Sequence, residues 1–122
     1  MNIRKFTVYK QSNGEENIIY LSGELDLSAA SELSAVLDSV VSQGDQNLTL
    51  DLKELRYIDS TGIGLIVSVL KVRAAMGASF RIQHIPARIQ RLFEITGVAR
   101  YFVDGELQFH NQGRAERKEE II

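Results

Sequence analysis

Apolar and polar positions change period several times along this chain, and each change marks an element. Residues 3–9 (IRKFTVY) alternate, with Phe6 and Val8 on one side, the pattern of a half-buried strand. A polar stretch carrying Asn13-Gly14, a turn signal, leads into residues 17–23 (NIIYLSG), a second strand rich in β-branched and aromatic side chains. The two are expected to pair as an antiparallel hairpin. The period then lengthens. Leu33, Val36, Leu37, Val40 and Val41 recur at helical spacing, which predicts a helix from Ser28, a suitable N-cap, to about Ser42, stopped by Gly44. Asp26, just before it, reads on its own as a loop or capping carboxylate.

Residues 47–52 (NLTLDL) alternate again, with Leu48, Leu50 and Leu52 on one face of a third strand. The connection KELRYID reads as a loop tucked against the core through Leu55, Tyr57 and Ile58. From Ser60 or Thr61 to about Met76 the apolar residues leave few polar sides, so most of this second helix should be buried. Lys71 and Arg73 fall near its C-terminal end, where the dipole favours cations. Residues 79–84 (SFRIQH) predict a fourth strand, with Phe80 and Ile82 facing one way. Pro86 opens a third helix whose inner face is Ile89, Leu92, Phe93 and Thr96, with Gly97 as its cap. Residues 101–103 (YFV) can add a short edge strand, and Asp104-Gly105 a turn.

The order ββαβαβα joins parallel strands through helical crossovers, which are right-handed in nearly all known cases. It predicts an α/β fold with a mixed sheet of four to five strands and helices packed largely on one face. One domain is expected over residues 1–109. Residues 110–122 are polar and unpatterned, and are expected to be a disordered tail.

Composition narrows the function. The 122 residues are 44% apolar and 25% charged, an ordinary balance for one packed domain. The net charge of −2 and the lack of a basic run argue against nucleic-acid binding. Cysteine is absent, which removes disulfides and thiolate metal sites. The N-terminus has no signal core and no stretch reaches the ~18 apolar residues of a bilayer span, so no membrane association and a cytoplasmic location are expected. His84 and His110 lie far apart, and no metal-binding or phosphate-loop spacing occurs. Ser60 lacks the GxSxG surroundings of a nucleophile, and no base can be named for it, so no enzyme activity and no cofactor are expected.

One junction carries unusual chemistry: Asp59-Ser60-Thr61-Gly62-Ile63-Gly64. Glycine in a helix costs about 1 kcal/mol relative to alanine, and two stand in the first turns here. Close packing of the helix on the sheet would account for them, with Asp59 or Ser60 as the cap. Alternatively, something approaches this helix end closely and meets an exposed hydroxyl, where free N–H groups also tolerate a phosphate.

Three blocks together, Gly23-Glu24-Leu25-Asp26, Asp51-Leu52 and Ile58-Asp59-Ser60-Thr61-Gly62-Ile63-Gly64, resemble the STAS domain of bacterial anti-sigma factor antagonists over roughly residues 3–108. The resemblance implies that Ser60 is phosphorylated by the partner, an anti-sigma factor that is also an ATP-dependent serine kinase, and restored by a PP2C-type phosphatase. It implies that the unphosphorylated form binds the anti-sigma factor and frees the sigma factor. Asp26 and Asp59 would lie near the phosphoacceptor, and Thr61, Gly62 and Gly64 would shape the helix start against the partner. Ile63 stands where leucine is commoner. A STAS subunit acting structurally in a lipid-transport or signalling assembly, without phosphorylation, is the alternative.

Overall fold

The structure, a computed structural model, describes residues 5–103 and 106–108. Strands β1 (Phe6–Ser12) and β2 (Glu16–Leu25) form the expected hairpin around Gly14, whose φ of 91° a turn glycine supplies. Helix α1 (Leu27–Asp38) crosses to β3 (Asn47–Ile58), α2 (Ser60–Ala75) to β4 (Phe80–Gln83), and α3 (Ala87–Thr96) follows. A short 3-10 helix (Val98–Tyr101) then leads to β5 (Phe102–Val103) and β6 (Glu106–Gln108). The sheet runs β1-β2-β3-β4-β6-β5, with β2, β3 and β4 parallel and the remaining pairs antiparallel. The α/β architecture is as expected. The sheet has one short strand beyond the expected four to five, because β6 inserts between β4 and the edge strand at 102–103. The turn expected at Asp104-Gly105 and the tail expected at 110–122 lie outside the described residues.

One apolar core unites the sheet and the helices. Along β2, Ile19, Leu21 and Leu25 are buried while the alternate residues are half-buried, the mark of a sheet covered on one face. Leu48, Leu50 and Leu52 of β3 and Phe80 and Ile82 of β4 share that face, and Leu33, Leu37, Ile66, Leu70, Ile89 and Phe93 of the helices join them in one cluster. Thr96, expected on the inner face of α3, is exposed and returns its hydroxyl to the Leu92 and Phe93 carbonyls. Helix α1 ends at Asp38, earlier than expected, and its stripe continues through a turned segment in which Val40 is still buried.

The larger correction concerns residues 53–59, which are strand up to Ile58 and not loop. Tyr20 pairs with Asp51 but Ser22 with Glu54, and Gly23 with Leu55 but Glu24 with Tyr57, so β3 gains one residue on β2 twice. Each bulge advances the buried position by three residues instead of two, from Leu52 to Leu55 and on to Ile58. Alternation is lost in the sequence although the strand continues. The extension delivers Ile58 opposite Leu25, so β2 and β3 end side by side.

Candidate functional site

Asp26 and Asp59 occupy equivalent places in successive strand-to-helix units. Both have extended backbone and both cap the helix that follows: the Asp26 carboxylate accepts from the Ala29 N–H at 3.0 Å and Asp59 from the Gly62 N–H at 3.0 Å. Ser28, expected as the cap of α1, lies instead within its first turn and donates its hydroxyl to Asp26 at 2.8 Å. That hydroxyl, followed by the Ala29 N–H, holds the Asp26 carboxyl below the usual aspartate range, so it stays ionised at neutral pH. The two caps are brought together by register. Leu25 pairs with Ile58, and the Asp59 N–H donates to the Leu25 carbonyl at 3.3 Å.

The two glycines of the junction differ. A Cβ on Gly62 would stand 2.8 Å from both the Ile58 and Leu25 side chains and 2.9 Å from the Leu25 carbonyl oxygen. Gly62 is buried, and the first turn of α2 rests directly on the end of β2 there. Close packing accounts for it. Gly64 is exposed, and a Cβ there would meet nothing within 4 Å. Among the described residues, no neighbour requires it. Ser60 is the first residue of α2, with Thr61 next to it, and both are exposed. A helix start leaves N–H groups without intrahelical partners, and Asp59 takes that of Gly62.

Gly23, first of the Gly23-Glu24-Leu25-Asp26 block, is a backbone requirement. Its φ is 96°, and a Cβ would lie 2.0 Å from the Lys5 carbonyl oxygen. Asp51 is not at the Ser60 pole. It is buried on the other side of the sheet from the helices, where its carboxylate accepts from the Lys53 N–H at 2.9 Å and the Gln83 amide at 3.0 Å and meets His84 Nδ1 at 2.8 Å. Burial pushes its pKa up, and those hydrogen bonds outweigh burial and leave it lowered. His84, read from the sequence as part of a strand, lies beyond β4 in left-handed backbone with φ 56°. Among the described residues, no group of three histidine or acidic side chains is placed to hold a metal ion, and no helix is long and apolar enough to cross a membrane.

Leu27, the first residue of α1, is 72% exposed and stands outside the apolar stripe that the sequence predicts. It sits six residues before Leu33, about 240° around the helix and so off the buried stripe. That offset was the available signal.

A model of one protein family, described as "Mlab, STAS domain", matches residues 8–107. The chain belongs to the STAS domain family. The anti-sigma-B factor antagonist of Bacillus subtilis is 33% identical over 88 residues, which span 72% of this STAS domain chain and 80% of that protein. Those of Staphylococcus aureus are 38% identical over 80 residues, 66% of this chain and 74% of theirs. In fold, the chain is similar to the crystal structure of an anti-sigma factor antagonist from Mycobacterium paratuberculosis, with a TM-score of 0.70 at 20% identity over 80% of this chain and 82% of that one.

Proposed function

We propose that this STAS domain is an anti-sigma factor antagonist switched at Ser60. In the unphosphorylated state it binds an anti-sigma factor that is also an ATP-dependent serine kinase, and the sigma factor is released. The kinase transfers the γ-phosphoryl group of ATP to Ser60 Oγ. The Oγ–P bond forms, the bond to ADP breaks, and the hydroxyl proton is lost. A PP2C-type phosphatase hydrolyses the phosphoserine and resets the switch. The domain is a substrate and a ligand in this cycle, not an enzyme, and acts in the cytoplasm. The observation that carries the reading is the exposed Ser60 at the first position of α2, directly after the capping carboxylate of Asp59. A purely structural subunit has no need of that hydroxyl. The names of the relatives from Bacillus subtilis and Staphylococcus aureus support the antagonist role.

The contact surface in this reading is Asp26, Asp59, Ser60, Thr61, Gly62 and Gly64. Phosphorylation adds about −1.5 to −2 charges. The helix start stabilises an anion by about 0.3–1 kcal/mol at an exposed site, and Asp59 opposes it on a similar scale, so the fold has little reason to rearrange. A partner surface shaped around a small hydroxyl has no such offset when it meets a desolvated dianion. The switch therefore acts locally, at the interface. Incubation with the anti-sigma factor kinase and Mg-ATP, followed by intact-mass measurement, tests it. One phosphate on the wild type and none on Ser60→Ala is the expected result, and modification at Thr61 with Ser60 untouched would overturn the assignment.

A further inference from the structure

Three locally costly features meet on the sheet face turned away from the helices. Asp51 is a buried carboxylate there, and a charge taken out of water is tolerated only with hydrogen bonds. His84 is the only non-glycine residue with left-handed backbone among the described residues, a conformation that a Cβ disfavours. β3 bulges directly after Asp51, so the consecutive residues Lys53 and Glu54 are both exposed. Asp51 and His84 line one open cleft of about 340 Å³ with Tyr20, Ser22, Lys53 and Glu54. Satisfying Asp51 does not explain the histidine, because the Lys53 N–H already donates to one carboxylate oxygen and the Gln83 amide to the other. His84 adds a third contact, Nδ1 to Asp51 at 2.8 Å, with its side chain still 60% exposed. An ionised carboxylate only accepts, so in the neutral ring Nδ1 carries the proton and Nε2 keeps its lone pair.

We propose that His84 Nε2 is a covalent phosphoryl acceptor in this cleft, with Asp51 as its positioning residue and a small acyl phosphate as the donor. The site is independent of Ser60. The Nε2 lone pair attacks phosphorus. The Nε2–P bond forms, the P–O bond to the acyl group breaks, and the acyl carboxylate leaves with the bonding pair. The ring keeps its Nδ1 proton and becomes positive, and that charge faces the Asp51 carboxylate. The same carboxylate fixes the tautomer and raises the basicity of the far nitrogen. The Lys53 ammonium lines the cleft and suits the phosphoryl oxygens. With Glu54 in the same cleft, the local charge favours a single phosphoryl group over a polyphosphate.

Incubation of the full chain with acetyl phosphate, followed by intact-mass measurement and peptide mapping, tests this. Wild type and Ser60→Ala are each expected to gain one phosphoryl group that maps to His84 and is lost on acidification. His84→Asn, in which asparagine tolerates the left-handed backbone, is expected to gain none. Asp51→Asn is expected to react at least tenfold more slowly. Ring-nitrogen NMR separates positioning from folding: neutral His84 should hold its proton on Nδ1 in the wild type and lose that preference in Asp51→Asn. The absence of an acid-labile group on the wild type overturns the proposal, and so does a group that maps to another residue. An Asp51→Asn rate within twofold of wild type, or the same tautomer in both proteins, removes Asp51 from the site and overturns it as well.

Discussion

The two ends of the parallel strands solve the same problem in opposite ways. At the end where β3 and β4 begin, the chain turns leave backbone carbonyls pointing inward, and Arg73 consumes them. Its side chain, expected only to complement the helix dipole, is fully buried. Nε donates to the Ser79 carbonyl at 2.9 Å, Nη1 to those of Val41 and Gln43 at 3.0 and 3.1 Å, and Nη2 to Gln46 at 2.6 Å. Buried Asn17 adds bonds to the side chains of Gln43 and Gln46. Burial lowers the Arg73 pKa, yet a guanidinium stays charged. At the other end, α1 and α2 each take a single carboxylate cap, and Leu27, Ser60, Thr61 and Gly64 are left facing water. One end holds the loops together, and the other is left open to water.

Substitutions should separate the ends. Arg73→Met removes the donors to four loop carbonyls and is expected to cost about 3–5 kcal/mol, on the scale of breaking a buried charged network. Chemical denaturation measures it, and a loss below 1 kcal/mol would show that the loops close without the guanidinium. Gly62→Ala comes next. Its new methyl group meets the Leu25 carbonyl, which cannot swing aside as a side chain can, so about 1–3 kcal/mol of overpacking is expected. A stability equal to wild type would mean that α2 can lift off the end of β2.

Asp51, on the face away from the helices, tests a third environment. Its folded pKa is lowered, so its contribution is present above the ordinary aspartate value near 4 and is lost as pH falls through the lower folded value. Asp51→Asn should cost on the order of 1 kcal/mol at neutral pH. The thermal midpoints of the two proteins should approach each other as pH falls below about 4. A gap that is constant with pH would rule out an ionised Asp51 as its source. Gly64→Ala is the smallest effect and has the opposite sign. The added methyl group clashes with nothing, so the helix should gain about 0.5–1 kcal/mol. Binding to the kinase should weaken if a partner lies against that surface. A variant that is more stable and binds equally well would leave Gly64 without a role.

Much of this was legible in the chain because helical stripes and alternating strands report burial directly. Leu33, Leu37, Val40, Leu48, Leu50 and Leu52 all fell where their period put them. The Asp59–Gly64 junction was legible because glycines and cap residues crowd a helix start. Illegible features were those set by another part of the chain. The bulges of β3 depend on register with β2. The fate of Arg73 depends on three carbonyls more than 25 residues earlier in the sequence. The different reasons for Gly62 and Gly64 appear only once the end of β2 is placed beneath one of them.

In the function proposed for this domain, the open end is read by a partner and closed by phosphate at Ser60. The most direct measurement is the affinity of the anti-sigma factor kinase, with ADP, for the unmodified protein and for the form phosphorylated at Ser60. Losing about 3–4 kcal/mol at a desolvated interface predicts binding roughly 150- to 1000-fold weaker after phosphorylation. Amide shifts in NMR spectra of the same two samples should change only near Asp26 and Asp59–Gly64. Equal affinity of the two forms would contradict the account.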